Sequence, residues 1–159
     1  MNENITELVM LIDRSSSLRH RENEAYETYL NTLDGFRKSS ERCLFTLGLF
    51  SDSLKVCFLQ SELSETMNIP QRELYSYGNT ALYDSVVSIL ESADRGMRHV
   101  RSDCNINRHL IVITDGRDNA SIFTDKKILM TELAARRLRG WEILFMKSNG
   151  TRLSVIEQA

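Results

Sequence analysis

The sequence predicts an α/β fold, a doubly wound, mainly parallel open sheet with one antiparallel edge strand and helices on both faces. Three observations predict it. The apolar runs Leu8-Val9-Met10-Leu11-Ile12 and Leu110-Ile111-Val112-Ile113 show no polar alternation, the pattern of strands covered on both faces. Segments with a helical apolar period separate most of the strands, as parallel crossovers require. One pair of strand-like runs is joined only by Ser51-Asp52-Ser53, which makes that pair a hairpin.

The elements follow in the order β-α-β-β-α-β-α-β-α. Residues 6–13 form the first buried strand. Residues 21–37 carry Ala25, Tyr26, Tyr29, Leu30, Leu33 and Phe36 at helical spacing. Residues 44–50 form the second strand, and 54–59 form the third, the antiparallel edge. Residues 61–78 are polar and aperiodic and hold the single proline, Pro70; they read as a connection containing a short helix. Residues 80–97 carry the stripe Leu82, Val86, Ile89, Leu90, Ala93 and Met97. Residues 110–114 are the fourth strand. Residues 125–139 form a helix stopped by Gly140, a C-cap glycine. Residues 141–146 are the fifth strand, and 151–158 read as a short last helix.

A chain of 159 residues is expected to form a single domain, residues 1–159, and buries roughly two-thirds of its unfolded surface. A net charge of −2 supplies no broad field for nucleic acid or an anionic membrane. No apolar run approaches the roughly 20 residues that span a bilayer. The start, Met1-Asn2-Glu3-Asn4, is polar and acidic, unlike a secretory leader. The three cysteines, Cys43, Cys57 and Cys104, show no paired spacing, so reduced thiols and a cytoplasmic location are expected. Cys43 and Cys57 lie in strand-like runs and read as small core residues.

Three fragments carry the chemistry. Asp13-Arg14-Ser15-Ser16-Ser17 ends the first strand, Gly78-Asn79-Thr80 precedes a helix, and Thr114-Asp115-Gly116 ends the fourth strand. In an open parallel sheet, ligands bind outside the carboxyl ends of the strands, so the fragments share one rim. Asp13, Ser15, Ser17, Thr80 and Asp115 offer two carboxylates and three hydroxyls. Such all-oxygen sets suit hard cations, Mg²⁺ or Mn²⁺. Each fragment alone is weak, because Asp and Ser gather at any strand-to-turn junction. Together they place two like charges near each other, which a cation relieves.

These fragments resemble the metal-ion-dependent adhesion site of the von Willebrand factor A-type (VWA) domains, in their compact prokaryotic cytosolic branch. Leu11 to Leu18 resembles the family's first motif, Gly78 to Asp84 its threonine loop, and Ile113 to Ser121 its aspartate loop. Gly140 to Phe145 is similar to its late strand, so the likeness covers nearly the whole chain. Ser16 and Asn79 stand where the family often has glycine. The resemblance implies a Rossmann-like fold and a bacterial setting. It implies that Ser15, Ser17 and either Thr80 or Asp115 coordinate the metal directly, with the remaining groups acting through water. The function it implies is non-enzymatic protein binding, in which a partner's Asp or Glu completes the metal shell.

Two rival classes are a metal-independent structural or assembly subunit and a cryptic metal-assisted hydrolase. Aspartyl phosphotransferases show a second aspartate where this chain has Ser15. Serine hydrolases need a Gly-x-Ser-x-Gly elbow and a histidine base, and neither is apparent. His20 and His99 read as surface residues, His109 as a rim or edge residue, Trp141 as a core or rim aromatic, and Asp52 as a turn residue. Arg136-Arg137-Leu138-Arg139 reads as a basic helix end that suits the dipole. Arg14 and Arg117 flank the metal loops, either bordering the partner's carboxylate or simply exposed.

Overall fold

The structure, a computed structural model, describes residues 3–39, 41–100 and 104–153. Its elements are β1 (Asn4–Asp13), α1 (Glu22–Arg37), β2 (Arg42–Phe50), β3 (Leu54–Glu62), α2 (Leu82–Met97), β4 (Asn105–Ile113), α3 (Lys126–Leu138) and β5 (Glu142–Met146). The strands form one sheet in the order β3-β2-β1-β4-β5, parallel throughout except for the β2–β3 hairpin. This is the predicted fold class.

The centre is β1, buried from Ile5 to Asp13. Successive strand side chains point to opposite faces. Leu8, Met10 and Ile12 meet Ala25, Tyr29 and Leu33 of α1. Val9 and Leu11 meet Val86, Ile89 and Leu90 of α2 and Leu129 and Leu133 of α3. With helices on both faces, nearly every β1 position must be apolar, which is why the run shows no alternation.

Glu7 is a charged exception. It is fully buried, and its carboxylate accepts hydrogen bonds from Arg108 Nε at 2.6 Å and Gln60 Nε2 at 3.0 Å. The Arg108 and Arg136 guanidinium carbons lie 4.3 and 5.1 Å from the Trp141 ring centroid. Arg136 is itself 3% exposed and binds both oxygens of Asp94. The basic helix end expected from the sequence therefore gives Arg136 to a partly buried ion pair, packed over a buried tryptophan. Arg137 and Leu138 remain exposed.

Several boundaries move for tertiary reasons. β4 begins at Asn105 because its polar first half pairs with β1, residue for residue from Asn4. β3 runs to Glu62 through a register shift opposite Thr46, where Gln60 takes φ +44°. A bulge re-aims the side chain, and here it sends the Gln60 amide to Glu7 and to the Ala93 carbonyl. The connection after β3 holds two short 3₁₀ turns, Leu63–Glu65 and Gln71–Leu74, and buries Leu63, Ile69 and Leu74 on the α1 side. Residues 151–153 are not helical. Leu153 N–H donates to the Phe145 carbonyl, and Arg152 bridges Met146 antiparallel. Residues 154–158 of that expected helix lie outside the described residues. Cys43 is buried and Cys57 half-buried. Among the described residues no helix is long and apolar enough to cross a membrane.

From β1 the chain proceeds outward to β2 and β3 on one side, and later to β4 and β5 on the other. That reversal leaves a crevice at the carboxyl ends of β1 and β4, the place where such sheets take ligands. Asp13 ends β1, and Thr114 and Asp115 follow β4.

Candidate metal centre

Asp13 is 2% exposed and fully engaged. Its Oδ1 accepts the Ser15 backbone N–H at 2.8 Å, a local turn favoured by aspartate. Its Oδ2 accepts the Thr114 hydroxyl at 2.8 Å, which ties the end of β1 to the end of β4. The turn after Asp13 buries Ser15 and brings its Oγ to 2.9 Å from Ser17 Oγ.

The three loops are stitched to one another. Ser16 donates from both N–H and Oγ to the Gly78 carbonyl, at 3.0 and 2.9 Å. The Thr80 N–H donates to Asn119 Oδ1 at 2.7 Å, and the Thr80 carbonyl accepts from the N–H groups of Asn119 and Ala120. Thr80 is thereby fixed by its backbone, and among the described residues its hydroxyl takes no hydrogen-bond partner. Asp115 is partly exposed; its Oδ1 accepts the Arg117 N–H at 3.1 Å.

Burial pushes the Asp13 carboxyl above its ordinary value. Hydrogen bonds from Ser15 and Thr114 oppose that rise, and the neighbouring Asp115 carboxylate adds to it. A buried carboxylate beside a second one is a position that a cation relieves. The donors are hydroxyls and carboxylates, and among the described residues no group of three or more Asp, Glu, His or Cys forms a more highly charged site. The residues present therefore fit a hard divalent ion of low ligand charge.

Aspartates and a serine from elsewhere hold this arrangement. No side chain from its own N-cap position closes α2. Instead, Asp118 accepts the Tyr83 N–H at 2.8 Å, and Ser121 Oγ accepts the Asp84 N–H at 2.9 Å. Asp84 returns the contact, accepting the N–H groups of Ile122 at 2.7 Å and Phe123 at 3.2 Å. The orphan donors at the start of α2 are thus satisfied from the aspartate loop, which ties Thr80 to the segment that follows Asp115. Asp52, expected as a plain turn residue, accepts the Asn79 N–H at 3.1 Å. At Gly78, with φ +77°, a Cβ would stand 2.5 Å from Asp52 Oδ2, so glycine is required there on both counts.

A sequence profile of the von Willebrand factor type A domain matches residues 7–150. The chain belongs to that family. Among solved structures, the VWA protein from Catenulispora acidiphila superposes with a TM-score of 0.63 at 17% identity, covering 92% of this chain and 33% of that one. Proximal thread matrix protein 1 from the mussel byssus superposes at 0.55 and 16% identity, covering 91% and 36%. This VWA domain therefore spans about a third of the length of those chains, and the likeness is one of fold. A search of curated proteins finds no sequence match.

Of the residues singled out from sequence, Asp13, Ser15 and Ser17 are joined by direct hydrogen bonds. Thr80 and Asp115 are brought to the same rim through Asn119 and Thr114. Thr114, Asn119, Asp84 and Asp118 were not singled out. Their only local signal is a polar side chain at a strand end or in a loop, and their partners lie 35 or more residues away. Ser16 and Asn79 keep negative φ, so neither replacement of glycine strains the loop, and Ser16 adds a bond that glycine lacks. Arg14 is held by the Glu73 carbonyl and lies over Tyr77, while the Arg117 side chain is 81% exposed. Of the two, Arg117 is the one whose side chain faces solvent, with its Nε 4.0 Å from Asp115 Oδ2. A cavity of about 610 Å³ lies at the amino ends of β1, β4 and β5, where His109 Nδ1 is 3.2 Å from Glu142. It is remote from the rim, and His109 sits inside β4 rather than at its start.

Proposed function

We propose that this VWA domain is a non-enzymatic, divalent-metal-dependent protein-binding module, working as one domain in a bacterial cytoplasm. Asp13, Ser15, Ser17, Thr80 and Asp115 would hold Mg²⁺ or Mn²⁺ at the rim. When bound, the ion supplies a positive centre open to one further oxygen ligand, the Asp or Glu of a partner protein. Asp13 and Asp115 orient hydroxyls and waters around it.

The observation that carries the reading is the buried Asp13 carboxylate, placed beside Asp115 and next to two converging serine hydroxyls. A nucleophilic role for those serines lacks support. Among the described residues no histidine hydrogen-bonds Ser15 or Ser17, and the two hydroxyls lie 2.9 Å from each other.

Metal binding is measured by Mn²⁺ electron resonance and calorimetry on the wild type and on the Asp13→Ala/Asp115→Ala variant. One weak site in the wild type, lost in the double variant, is expected. Equal binding in both would reject the assigned ligands. Affinity capture from cells with Mg²⁺ and with chelator, repeated with Thr80→Ala, tests the second half. A partner retained equally under all conditions would favour a metal-independent assembly role.

A further inference from the structure

The cavity of about 610 Å³ at the amino ends of β1, β4 and β5 stands at the opposite edge of the sheet from the metal centre. It opens between α1 and the sheet. Nearer the rim, that face of the sheet carries an apolar row, Met10, Ile111 and Leu144, paired in register. Toward the amino ends the face turns polar: His109 pairs with Glu142, and Thr6 with Asn107. A floor that served only to pack α1 would stay apolar, as the row above it does.

The helix is opened at the same place. Gly35 of α1 lines the cavity on ordinary helical backbone. A Cβ built there meets nothing within 4 Å, so no contact demands glycine. Glycine weakens a helix interior, and almost any other residue would hold α1 better. What glycine supplies here is room. A cavity of this volume is in the range that takes small organic ligands.

The lining sets the chemistry of the occupant. Among the described residues, four lining side chains are charged or can be: Glu41, Glu142, Arg108 and His109. Arg108 is committed elsewhere, held by Glu7 and Asp94 and lying over Trp141. The His109 ring is fixed between Phe36, in edge contact at 5.2 Å between centroids, and Glu142 at 3.2 Å. Glu41 accepts the Thr6 hydroxyl through one oxygen. Both glutamates are exposed, and each has a second oxygen to offer. Two carboxylates beside an aromatic ring complement a cation carried on a flat apolar body.

We infer that this cavity is a second binding site, separate from the metal centre, and that its ligand is a small organic cation: an amidine, guanidine or amine on a flat apolar body. Glu41 and Glu142 meet the charge, and Phe36 meets the body.

Benzamidine, benzamide and benzoate share one shape and differ in charge, so they test this directly. Each is titrated into ¹⁵N-labelled protein in chelator, and backbone amide shifts are followed. Benzamidine should bind at about millimolar concentration, the range for so small a ligand, and move the amides of Asn31, Asn107 and His109. Benzamide should bind at least about fivefold more weakly, and benzoate not at all. Glu41→Gln and Glu142→Gln should each weaken benzamidine by about two- to fivefold, the worth of one exposed ion pair, and leave benzamide unchanged. Gly35→Leu should lose both probes and melt about 2–4 °C higher, since leucine favours the helix and fills the space. Four outcomes would overturn the inference: no binding of benzamidine, equal binding of the three probes, shifts confined to the Asp115 loop, or a Gly35→Leu protein that binds like the wild type or melts lower.

Discussion

Asp13→Asn separates the metal from the fold. Asparagine keeps the shape of the side chain, and its Oδ1 retains the 2.8 Å bond from Ser15 N–H. The second position changes character. An amide N–H now faces the Thr114 hydroxyl, which already accepts Gly116 N–H at 3.2 Å. Losing a hydrogen bond to a charged acceptor costs about 1.5–3 kcal/mol. Against this, the substitution removes a carboxylate that burial and Asp115 disfavour. The two effects largely offset, and without metal the melting temperature should stay within about 2–4 °C of the wild type.

The sign of the pH dependence follows from the raised Asp13 pKa. Its stabilisation is complete below the unfolded value and is lost as pH rises through the folded value. In chelator, the variant should therefore gain on the wild type between acid and neutral pH. Metal reverses the order. An ion at a hundred times its dissociation constant stabilises the wild type by about 2.7 kcal/mol, or about 5–11 °C for a chain of this size. The variant should gain almost nothing. Thermal melts in chelator and in titrated Mg²⁺ or Mn²⁺ measure this directly. An equal metal-induced shift in both proteins, or an unfolded variant, would refute the reasoning.

Three further outcomes follow from the packing. Ile113→Asp buries an unpaired carboxylate in β4, between β1 and β5, and should leave the chain unfolded by circular dichroism. Gly96→Ala drives a Cβ into Gln60 Oε1 and must displace the amide that satisfies Glu7; a loss of about 1–3 kcal/mol in denaturant titrations is expected, and Gln60→Ala should relieve the clash. Burial acts upward on the Asp94 carboxyl, but the two-oxygen contact with Arg136 and the bond from Arg108 outweigh it and hold the pKa below its ordinary value. The stability that Asp94 contributes is therefore present above its unfolded value and lost as pH falls through the folded one, so Asp94→Asn melts should converge with wild-type melts in acid.

The sequence by itself determined the sheet, its covering helices and the chemistry of the rim. Short unbroken apolar runs rich in β-branched residues read as strands covered on both faces, and a three-residue turn returns a strand beside its predecessor. Oxygen donors at two strand ends and a helix start must share the carboxyl edge of a parallel sheet. These are local facts of period and spacing.

Tertiary structure decided what depends on distant partners. The polar first half of β4 is a strand because β1 pairs with it. Gln60 reaches Glu7 because a bulge turns it inward. Arg136 is buried because Asp94 and Trp141 receive it. Residues 151–153 run extended because the end of β5 captures them. The start of α2 is capped by Asp118 and Ser121 of another loop, with Asp84 gripping that loop in return, and no residue near Ala81 announces this. Hydrogen bonds across 35 to 101 residues leave no periodic trace, so Thr114 and Asn119, which draw the site together, became visible only once the chain was folded.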